Sequence, residues 1–325
     1  MKRTGWGMIG CGDVTQVKSG PAFNKVESSF IAAVMSRDLE KARQYAEKNS
    51  IPHYYNDAGA LLLNPEVNAV YIATPPSSHE AYAMMAIEAG KDVYIEKPMA
   101  MNYRSAIDIA NAAKEAGVKM VIAHYRREQP VFKMAKQLIE EGTIGKIRLA
   151  VCNYQKIAQS EEELAMPGNK WRVDPSISGG GIFHDLAPHQ LDLMLYFFGE
   201  YKSAHGFSKN QCGLYEADDV VSGTILFNND VIFTGNWLFN GLSYEDEIKI
   251  FGTKGKLTFG TFQHESLHIE ANGVQRTYTF ENLPHVQMPL ISQTVRYFQG
   301  IGPNPCEPKN GVDVMKIIDS FAKTG

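Results

Sequence analysis

The 325 residues, of which 44% are hydrophobic and 21% charged, are enough for about two globular domains with large cores. A net charge of -4 without a long basic run excludes a nucleic-acid partner, and no stretch approaches the roughly 18 apolar residues that span a membrane. The scattered cysteines predict a cytoplasmic protein without a disulfide framework or a cysteine metal site: Cys11, Cys152, Cys212 and Cys306.

A dinucleotide-binding turn is predicted directly after the first strand, Trp6–Ile9. Two glycines spaced as Gly-x-Gly permit a tight turn and let backbone N–H groups approach a pyrophosphate at a helix start. Thr15 stands where a third glycine is usual, and the short pattern is common by chance, so its context must support it. The residues of this turn that we expect at the cofactor are Gly10, Gly12, Asp13 and Val14.

The second predicted strand, Phe30–Met35, ends where a dinucleotide-binding fold reads the ribose, about twenty residues beyond the glycines. An acid at this position would bind the ribose hydroxyls of NAD and repel a phosphate. Ser36 and Arg37 instead offer a donor and a positive charge, which favours NADP. Two alternatives stay open, because Arg37 can serve only packing or capping and Asp38 can still serve NAD.

Strands and helices continue to alternate through the first third of the chain. Repeated units of this kind with apolar strands predict a doubly wound parallel sheet, which we assign to residues 1–123. The further strands are predicted at Asn68–Ala73, Asp92–Ile95 and Val118–Ala123, and helices at 78–90 and Tyr103–Ala116.

A lysine follows the strand Asp92–Ile95 almost at once, in the sequence Glu96-Lys97-Pro98. Ligands of open α/β sheets bind beyond the carboxyl ends of the strands, so Lys97 is a candidate to meet substrate and cofactor together. The alternative is an ordinary surface cation. Because the cis form of an X-Pro bond costs only about 0.5–1 kcal/mol, we hypothesise that the Lys97–Pro98 bond is cis and turns the lysine into the cleft.

The pattern changes after His124 to an α+β domain, assigned to residues 124–325. A helix at Val131–Glu141 ends at Gly142, and most later segments alternate as half-buried strands do. Short turns between them predict antiparallel hairpins. Clear examples are Val220–Phe227, Val231–Leu238, Glu247–Phe251 and Val274–Phe280.

A second chemical cluster follows the glycines at 179–181. A helix is predicted to start near Asp185, with Pro188 in its first turn, which puts Asp185, His189 and Asp192 on one face. An imidazole with a pKa near 6.5 beside a carboxylate suits proton transfer. A structural histidine with an N-cap aspartate is the alternative, and Asp192 is expected to support the helix or to orient His189.

No metal site is predicted. His264 and His268 have the spacing of a helical metal pair, but the segment around His268 is predicted as a strand, where residues four apart lie roughly 13 Å apart. Ser160 followed by Glu163 predicts a capping box at a helix start.

With these motifs placed, the chain resembles the glucose-fructose oxidoreductase and inositol dehydrogenase family along nearly its whole length. The resemblance implies an N-terminal Rossmann domain and a C-terminal α+β domain with a large, open-faced, mostly antiparallel sheet through which homodimers or homotetramers form. The points of likeness are Gly10-x-Gly12, Thr74-Pro75-Pro76-Ser77-Ser78-His79, Glu96-Lys97-Pro98, Arg126-Arg127, Gly142-x-x-Gly145-Lys146-Ile147, and Trp171-Arg172 before Gly179-Gly180-Gly181.

The resemblance also implies the roles of the site residues. Lys97 is expected to lie beside the nicotinamide and to bind the reacting oxygen, with Asp185 and His189 completing the pocket and the histidine as acid/base. Ala187 replaces the glycine of the family's Asp-x-Gly-x-x-His motif, and Pro188 precedes the histidine, so the helix start is expected to differ. Further cofactor contacts are expected at Thr74, Pro75, His79, Glu96, Arg126, Trp171 and Arg172.

The expected activity is hydride transfer between NADP, or alternatively NAD, and a secondary alcohol or ketone of a sugar, polyol or inositol. Side chains on the antiparallel sheet and in the Glu161–Pro175 segment are expected to select the sugar. Two other functions stay open: NAD-dependent hydrolysis of a glycoside, as in some relatives, and a non-catalytic regulator that senses a dinucleotide or a sugar. Retention of Lys97, Asp185 and His189 argues against the regulator.

Overall fold

A computed structural model of the chain describes residues 3–12, 15–16 and 19–322. The predicted cofactor contacts Asp13 and Val14 lie outside the described residues. Among the helices that are described, none combines the length and the apolar character needed to cross a membrane.

The chain divides into two compact units. The first consists of the described residues of Met1–Tyr125 and Leu283–Met315, and the second of those of Arg126–Asn282 and Lys316–Gly325. The predicted division at residue 124 was contiguous and assigned Leu283–Met315 to the C-terminal domain. This segment instead packs with the first unit, because the backbone N–H of Ile122 donates to the carbonyl of Cys306 at 3.1 Å.

A parallel sheet forms the centre of the first unit. Its strands are β1 (Thr4–Ile9), β2 (Ser29–Met35), β3 (His53–Tyr55), β4 (Ala69–Ile72), β5 (Asp92–Ile95) and β6 (Met120–Ile122). Among the described residues they lie in the order β3-β2-β1-β4-β5-β6. This is the doubly wound arrangement, in which a dinucleotide binds where the strand order reverses, beside β1 and β4.

The helices of the first unit begin after its strands. They are α1 (Gly20–Phe23), α2 (Leu39–Asn49), α3 (Ala58–Leu62), α4 (His79–Glu88) and α5 (Tyr103–Glu115), with a short 3-10 helix at Pro76–Ser78. Aromatic residues fill one part of the core, where the ring of Phe23 lies 4.7 Å from that of Trp6 and 5.0 Å from that of Tyr71. The apolar strands therefore hold the carboxyl ends of β1, β4 and β5 rigidly in place.

The second unit contains a larger sheet. Its strands are β7 (Ile147–Ile157), β8 (Tyr201–Lys209), β9 (Val220–Phe227), β10 (Ile232–Gly241), β11 (Glu245–Gly252), β12 (Gly255–Phe259), β13 (Ser266–Ala271) and β14 (Val274–Thr279). In the described part of the chain their order is β14-β13-β12-β11-β7-β10-β9-β8. The strands β7 and β10 pair in parallel and the other neighbours are antiparallel, which confirms the predicted fold class.

Helices cover one face of this sheet. They are α6 (Pro130–Glu140), α7 (Glu161–Ala165), α8 (Pro167–Val173), α9 (Pro175–Ser178) and α10 (Ile182–Phe198), and a 3-10 helix spans Tyr125–Glu128. The side chain of Gln190 on α10 accepts a hydrogen bond from the Trp237 indole of β10 at 3.0 Å. The capping box predicted at Ser160 and Glu163 is present at the start of α7 and is confirmed.

The last two helices of the chain are α11 (Met288–Phe298) and α12 (Pro308–Phe321).

The helix α10 begins three residues earlier than predicted, at Ile182, so Pro188 lies in its second turn. Gly181, with φ of +84°, caps its start, and the first helical hydrogen bond runs from Asp185 N to Gly181 O at 3.3 Å. A proline at this position removes one backbone donor, the partner that His184 O would otherwise have. Nearly every residue of α10 is buried, so packing against the sheet outweighs that local cost.

Candidate active site

The glycine turn after β1 requires glycine at its first position. Gly10 has φ of +113°, and a Cβ there would lie 2.7 Å from the Ala73 carbonyl oxygen, so only glycine fits. A Cβ on Gly12 would meet no atom of the described residues within 4 Å, so among them there is space over the turn. Thr15 is buried at the third position and its hydroxyl donates to Gly12 O at 2.7 Å. The threonine therefore braces the turn where a third glycine is usual.

The end of β2 carries the predicted ribose-reading residues. Asp38 is the N-cap of α2, and its Oδ1 accepts a hydrogen bond from Lys41 N at 3.2 Å. The Asp38 backbone N–H donates to Ser36 Oγ at 3.3 Å, and Arg37 is exposed. Burial raises the pKa of the Cys11 thiol, within the glycine turn, to about 11, although the nearby Lys41 ammonium opposes this. A serine and two cations thus lie close to this part of the turn.

Glu96 is the buried centre of a hydrogen-bond network. Its Oε1 accepts hydrogen bonds from the Tyr71 hydroxyl and the Gln287 amide, each at 2.7 Å. The Gln287 carbonyl oxygen accepts one from Tyr94 OH at 3.1 Å. Burial, reinforced by the Glu96 carboxylate, raises the pKa of Tyr71 well above its ordinary value, so the phenol keeps the proton that it donates. This network fixes the end of β5 directly before Lys97.

The Lys97–Pro98 peptide bond is cis, which confirms that part of the hypothesis drawn from the sequence. Lys97 is half-buried. The buried ring of His79 has Nδ1 2.9 Å from Pro98 O and Nε2 2.8 Å from Thr74 O, so it joins the segment after β5 to the segment after β4. Burial lowers the pKa of His79 to about 4. Thr74 and Pro75 are half-buried at that junction.

In the second unit, Asp185 and Arg172 form an ion pair. The Arg172 Nε donates to Asp185 Oδ2 at 2.9 Å, and its guanidinium lies 4.8 Å from the ring centre of Trp171. The side chain of Asp185 is 14% exposed and that of Arg172 is 33% exposed, so the pair is only partly open to solvent. Two predicted cofactor contacts and one predicted catalytic residue are thereby brought together.

His189 lies one turn further along α10 and is buried. Its ring meets that of Phe262 edge-on at 5.7 Å. The Arg126 guanidinium lies over the same phenyl ring at 4.7 Å, and its Nη1 donates to Thr261 O. Phe262 therefore joins the predicted acid/base to Arg126, a predicted cofactor contact.

Asp192, the third residue on this helix face, pairs with Arg127. The contacts from Arg127 Nε and Nη2 to the two carboxylate oxygens are 2.6–3.0 Å long, and both side chains are buried. Asp192 was expected to support the helix or to orient His189, and its buried ion pair with Arg127 fits the supporting role. The two residues are 65 positions apart, so no local spacing links them.

Two residues near the site were not predicted from the sequence. They are Lys156 on β7 and Gln287, which donates a hydrogen bond to Glu96. Strand alternation was an available signal for Lys156, because Cys152 and Tyr154 are buried and residue 156 faces the same way. No signal of this kind points to Gln287, which contacts Glu96 across 191 residues.

The two histidines rejected as a metal pair have other surroundings. His268 lies on β13, with Nδ1 2.9 Å from Thr277 Oγ1 and Nε2 3.1 Å from Ser266 Oγ. His264 precedes the strand, and its Nδ1 lies 3.0 Å from Phe262 O. Within residues 3–12, 15–16 and 19–322, no group of three or more histidine, cysteine or acidic side chains is arranged to hold a metal ion.

The reversal of strand order beside the glycine turn defines a dinucleotide-binding oxidoreductase fold. Residues 4–124 match the family model described as "Oxidoreductase family, NAD-binding Rossmann fold", and residues 132–258 match the GFO/IDH/MocA C-terminal domain. The chain belongs to the GFO/IDH/MocA family of nicotinamide-dependent oxidoreductases, which confirms the resemblance drawn from its motifs.

Similar proteins agree with this assignment. The chain is 42% identical to "Oxidoreductase P35" of Formosa agariphila over 99% of both chains. It is 27% identical to 1,5-anhydro-D-fructose reductase of Ensifer adhaerens, over 78% of this chain and 74% of that one. The solved structure of levoglucosan dehydrogenase with NADH and levoglucosan has the same fold, with a TM-score of 0.88, 22% identity and coverage of 98% and 96%.

Proposed function

We propose that this enzyme is an NADP-preferring dehydrogenase or reductase that acts on a secondary alcohol or ketone of a sugar or polyol. The observation that carries the proposal is the α10 face, where Asp185, held by Arg172, lies one turn before the buried His189. Relatives named for levoglucosan and 1,5-anhydro-D-fructose support a carbohydrate substrate. The named relatives are oxidoreductases, which favours neither glycoside hydrolysis nor a non-catalytic sensor.

The first unit would hold the cofactor, and the second would bind substrate. Gly10 and Gly12 fit a pyrophosphate because one permits the tight turn and the other leaves space for a close approach. When bound, the nicotinamide supplies the hydride transfer. The His79 contacts hold Thr74, Pro75 and the Lys97–Pro98 segment in place, so we assign His79 and Glu96 a positioning role.

Three side chains would handle the reacting oxygen and its proton. During oxidation a ring nitrogen of His189 takes the hydroxyl proton, and it returns the proton during reduction. The Lys97 ammonium hydrogen-bonds the substrate oxygen and stabilises its developing negative charge. The Asp185 carboxylate, fixed by Arg172, orients the hydroxyl group.

The preference for NADP rests on the end of β2. The Asp38 carboxylate accepts the capping hydrogen bond of α2, so it is engaged at the helix start. Ser36, Arg37 and Lys41 remain as donors suited to a 2′-phosphate.

We also propose a homodimer or homotetramer that forms through the outer face of the second unit's sheet. A polar row crosses that face, with Ser222 Oγ donating to Asn236 Oδ1 at 2.8 Å and Asn236 Nδ2 donating to Asn153 Oδ1 at 3.1 Å. Phe207, paired with Ser222 in the same row, is 86% exposed. Light scattering that gives a monomer at micromolar concentration would contradict this. The four cysteines are scattered and form no disulfide, which supports a cytoplasmic location.

The test is a screen of sugars, inositols and their keto derivatives with NAD and NADP in parallel, read at the nicotinamide absorbance. We expect turnover of at least one carbohydrate, with a higher kcat/KM for NADP. Lys97→Met should lower kcat by about 10²–10⁴-fold while cofactor binding persists. Lys114→Met, at an exposed position on α5, is the matched control and should retain wild-type turnover.

Normal turnover by Lys97→Met would overturn the role of Lys97. Turnover with NAD alone would overturn the interpretation of Ser36 and Arg37. Release of a free sugar from a glycoside without net cofactor reduction would favour the hydrolase instead.

A further inference from the structure

Lys156 lies on the same face of β7 as the residues that surround His189. Side chains alternate along a strand, so Cys152, Tyr154 and Lys156 point toward the helices. The Tyr154 ring lies 5.1 Å from that of Phe262, and Phe262 in turn contacts His189. Lys156 is therefore the next residue after Tyr154 in the row of β7 side chains that faces the helices, and Phe262 links Tyr154 to the proposed acid/base.

Three charged groups from the surrounding helices face this half-buried lysine. Burial lowers its pKa, and Arg172 on α8 lowers it further, while Asp185 on α10 and Glu163 on α7 act in the opposite direction. Both acids already have other partners: Asp185 pairs with Arg172, and Glu163 Oε2 accepts a hydrogen bond from Ser160 N at 2.8 Å. Lys156 itself makes no hydrogen bond or ion pair with the described residues.

The half-buried Lys156 ammonium lies near the Arg172 guanidinium and has no ion-pair partner among the described residues. A second anion placed there would be attracted to both cations, and partial exclusion of water would strengthen that attraction. Among groups that a carbohydrate carries, the carboxylate supplies this charge. A neutral hydroxyl would hydrogen-bond to Lys156 but would leave its ammonium without an ion-pair partner.

We propose that Lys156 binds a carboxylate of the substrate, so that the enzyme acts on acidic sugars or sugar acids in preference to their neutral counterparts. The proposal rests on the proposed function, because it takes the Asp185 and His189 face as the place where the carbohydrate binds. Lys156 would then select the substrate at a point away from the reacting carbon.

Matched pairs of substrates test this selection. D-glucuronate with D-glucose, and D-galacturonate with D-galactose, differ in one carboxylate. We expect a higher kcat/KM for the acid in each pair, and Lys156→Met should lower that value at least about tenfold, mainly through KM. The neutral sugars should change little, and Lys156→Arg should restore part of the loss. Lys249→Met on the neighbouring strand β11, where the lysine pairs with Glu247, is the control.

The pH dependence adds a readout that a merely structural lysine would not give. Only the protonated ammonium attracts the carboxylate, so acid binding should weaken as pH rises through a lysine pKa lower than the ordinary value near 10.4. Lys156→Met should lose this dependence. Equal losses for the acid and the neutral sugar in Lys156→Met, or a wild-type preference for neutral sugars, would overturn the proposal.

Calorimetric titration of D-glucuronate and D-galacturonate separates this proposal from the broader one. If no carbohydrate is oxidised or reduced, yet wild-type protein binds an acid at least about tenfold more tightly than Lys156→Met, the role of Lys156 stands and the proposed activity fails. If neutral sugars are turned over and neither acid binds better than its neutral counterpart, the activity stands and the role of Lys156 fails. If there is neither turnover nor acid binding, both fail.

Discussion

The two units present different kinds of chemistry at their candidate functional residues. In the first, backbone groups and a neutral imidazole dominate, as at the Gly10 turn and at His79, whose one ring N–H can donate to only one of the two carbonyl oxygens beside it. In the second, ion pairs dominate, as between Arg127 and Asp192 and between Arg172 and Asp185. The first unit adds the cations Lys97 and Arg37 to these neutral contacts, whereas the ion pairs of the second unit are buried or partly buried.

The two kinds of chemistry recognise ligands in different ways. Backbone N–H groups at a glycine turn bind any pyrophosphate of suitable shape, because the contact does not depend on a side chain. Charged side chains on a sheet and helix face instead discriminate among polar substrates. Steric changes should therefore be most damaging to function at the Gly10 turn, and changes of charge at Lys97 and on the α10 face.

The largest expected effect is on the buried ion pair of the second unit. Arg127→Met leaves the buried Asp192 carboxylate without its cation, so the free energy of unfolding should fall by about 3–5 kcal/mol. Urea unfolding measures this. Arg43→Met, which removes an exposed pair with Glu40 on α2, is the control and should have a much smaller effect. Equal losses of unfolding free energy in the two variants would show that the buried pair matters no more to stability than the exposed one.

A smaller effect concerns the neutral histidine of the first unit. Burial lowers the pKa of His79 from about 6.5 in the unfolded chain to about 4, so between these values only the unfolded chain takes up the proton. The neutral His79 makes its full contribution to the free energy of unfolding above pH 6.5. That contribution falls as the pH drops toward 4, by up to roughly 3 kcal/mol.

The pH dependence of urea unfolding measures this loss. His79→Gln should reduce the dependence between pH 6.5 and 4 by the part that His79 contributes. His184→Gln in the second unit is a matched comparison, because burial also lowers the pKa of His184 to about 4. A full wild-type slope in His79→Gln would show that the histidine is not held neutral.

The smallest effect separates the two glycines of the turn. Gly12→Ala should leave Tm unchanged because its Cβ meets no atom of the described residues, yet it should weaken NADPH binding about tenfold by occupying the space over the turn. Gly10→Ala should lower both Tm and affinity, because of its positive φ and the contact with Ala73 O. Fluorescence titration and thermal unfolding report the two quantities. Unchanged NADPH affinity in Gly12→Ala would contradict the assignment of the turn.

Features set by local pattern could be predicted from the sequence. β5 and β9 have the predicted bounds, Asp92–Ile95 and Val220–Phe227, because their apolar runs end at clear turn signals. The capping box at Ser160 was predictable for the same reason, since its hydrogen bonds join residues three apart. The Gly-x-Gly and Glu-Lys-Pro motifs likewise carry their meaning within a few residues.

Features set by distant contacts could not be predicted. The pairing of Arg127 with Asp192 and the hydrogen bond from Gln287 to Glu96 depend on the folded topology. The early start of α10 reflects burial on the sheet, which outweighs the local signal of Pro188. Leu283–Met315 belongs to the first unit through contacts with β6 and Glu96. No hydrophobic periodicity in the sequence predicts that so late a segment packs with the N-terminal strands.

The most direct test of the division between the two units is a paired measurement on His189→Ala: titration with NADPH, and turnover of a carbohydrate that wild-type enzyme uses. We expect an unchanged Kd for NADPH together with a fall in kcat of about 10²–10⁴-fold. Wild-type turnover, or a loss of NADPH affinity large enough to explain the lost activity, would contradict it.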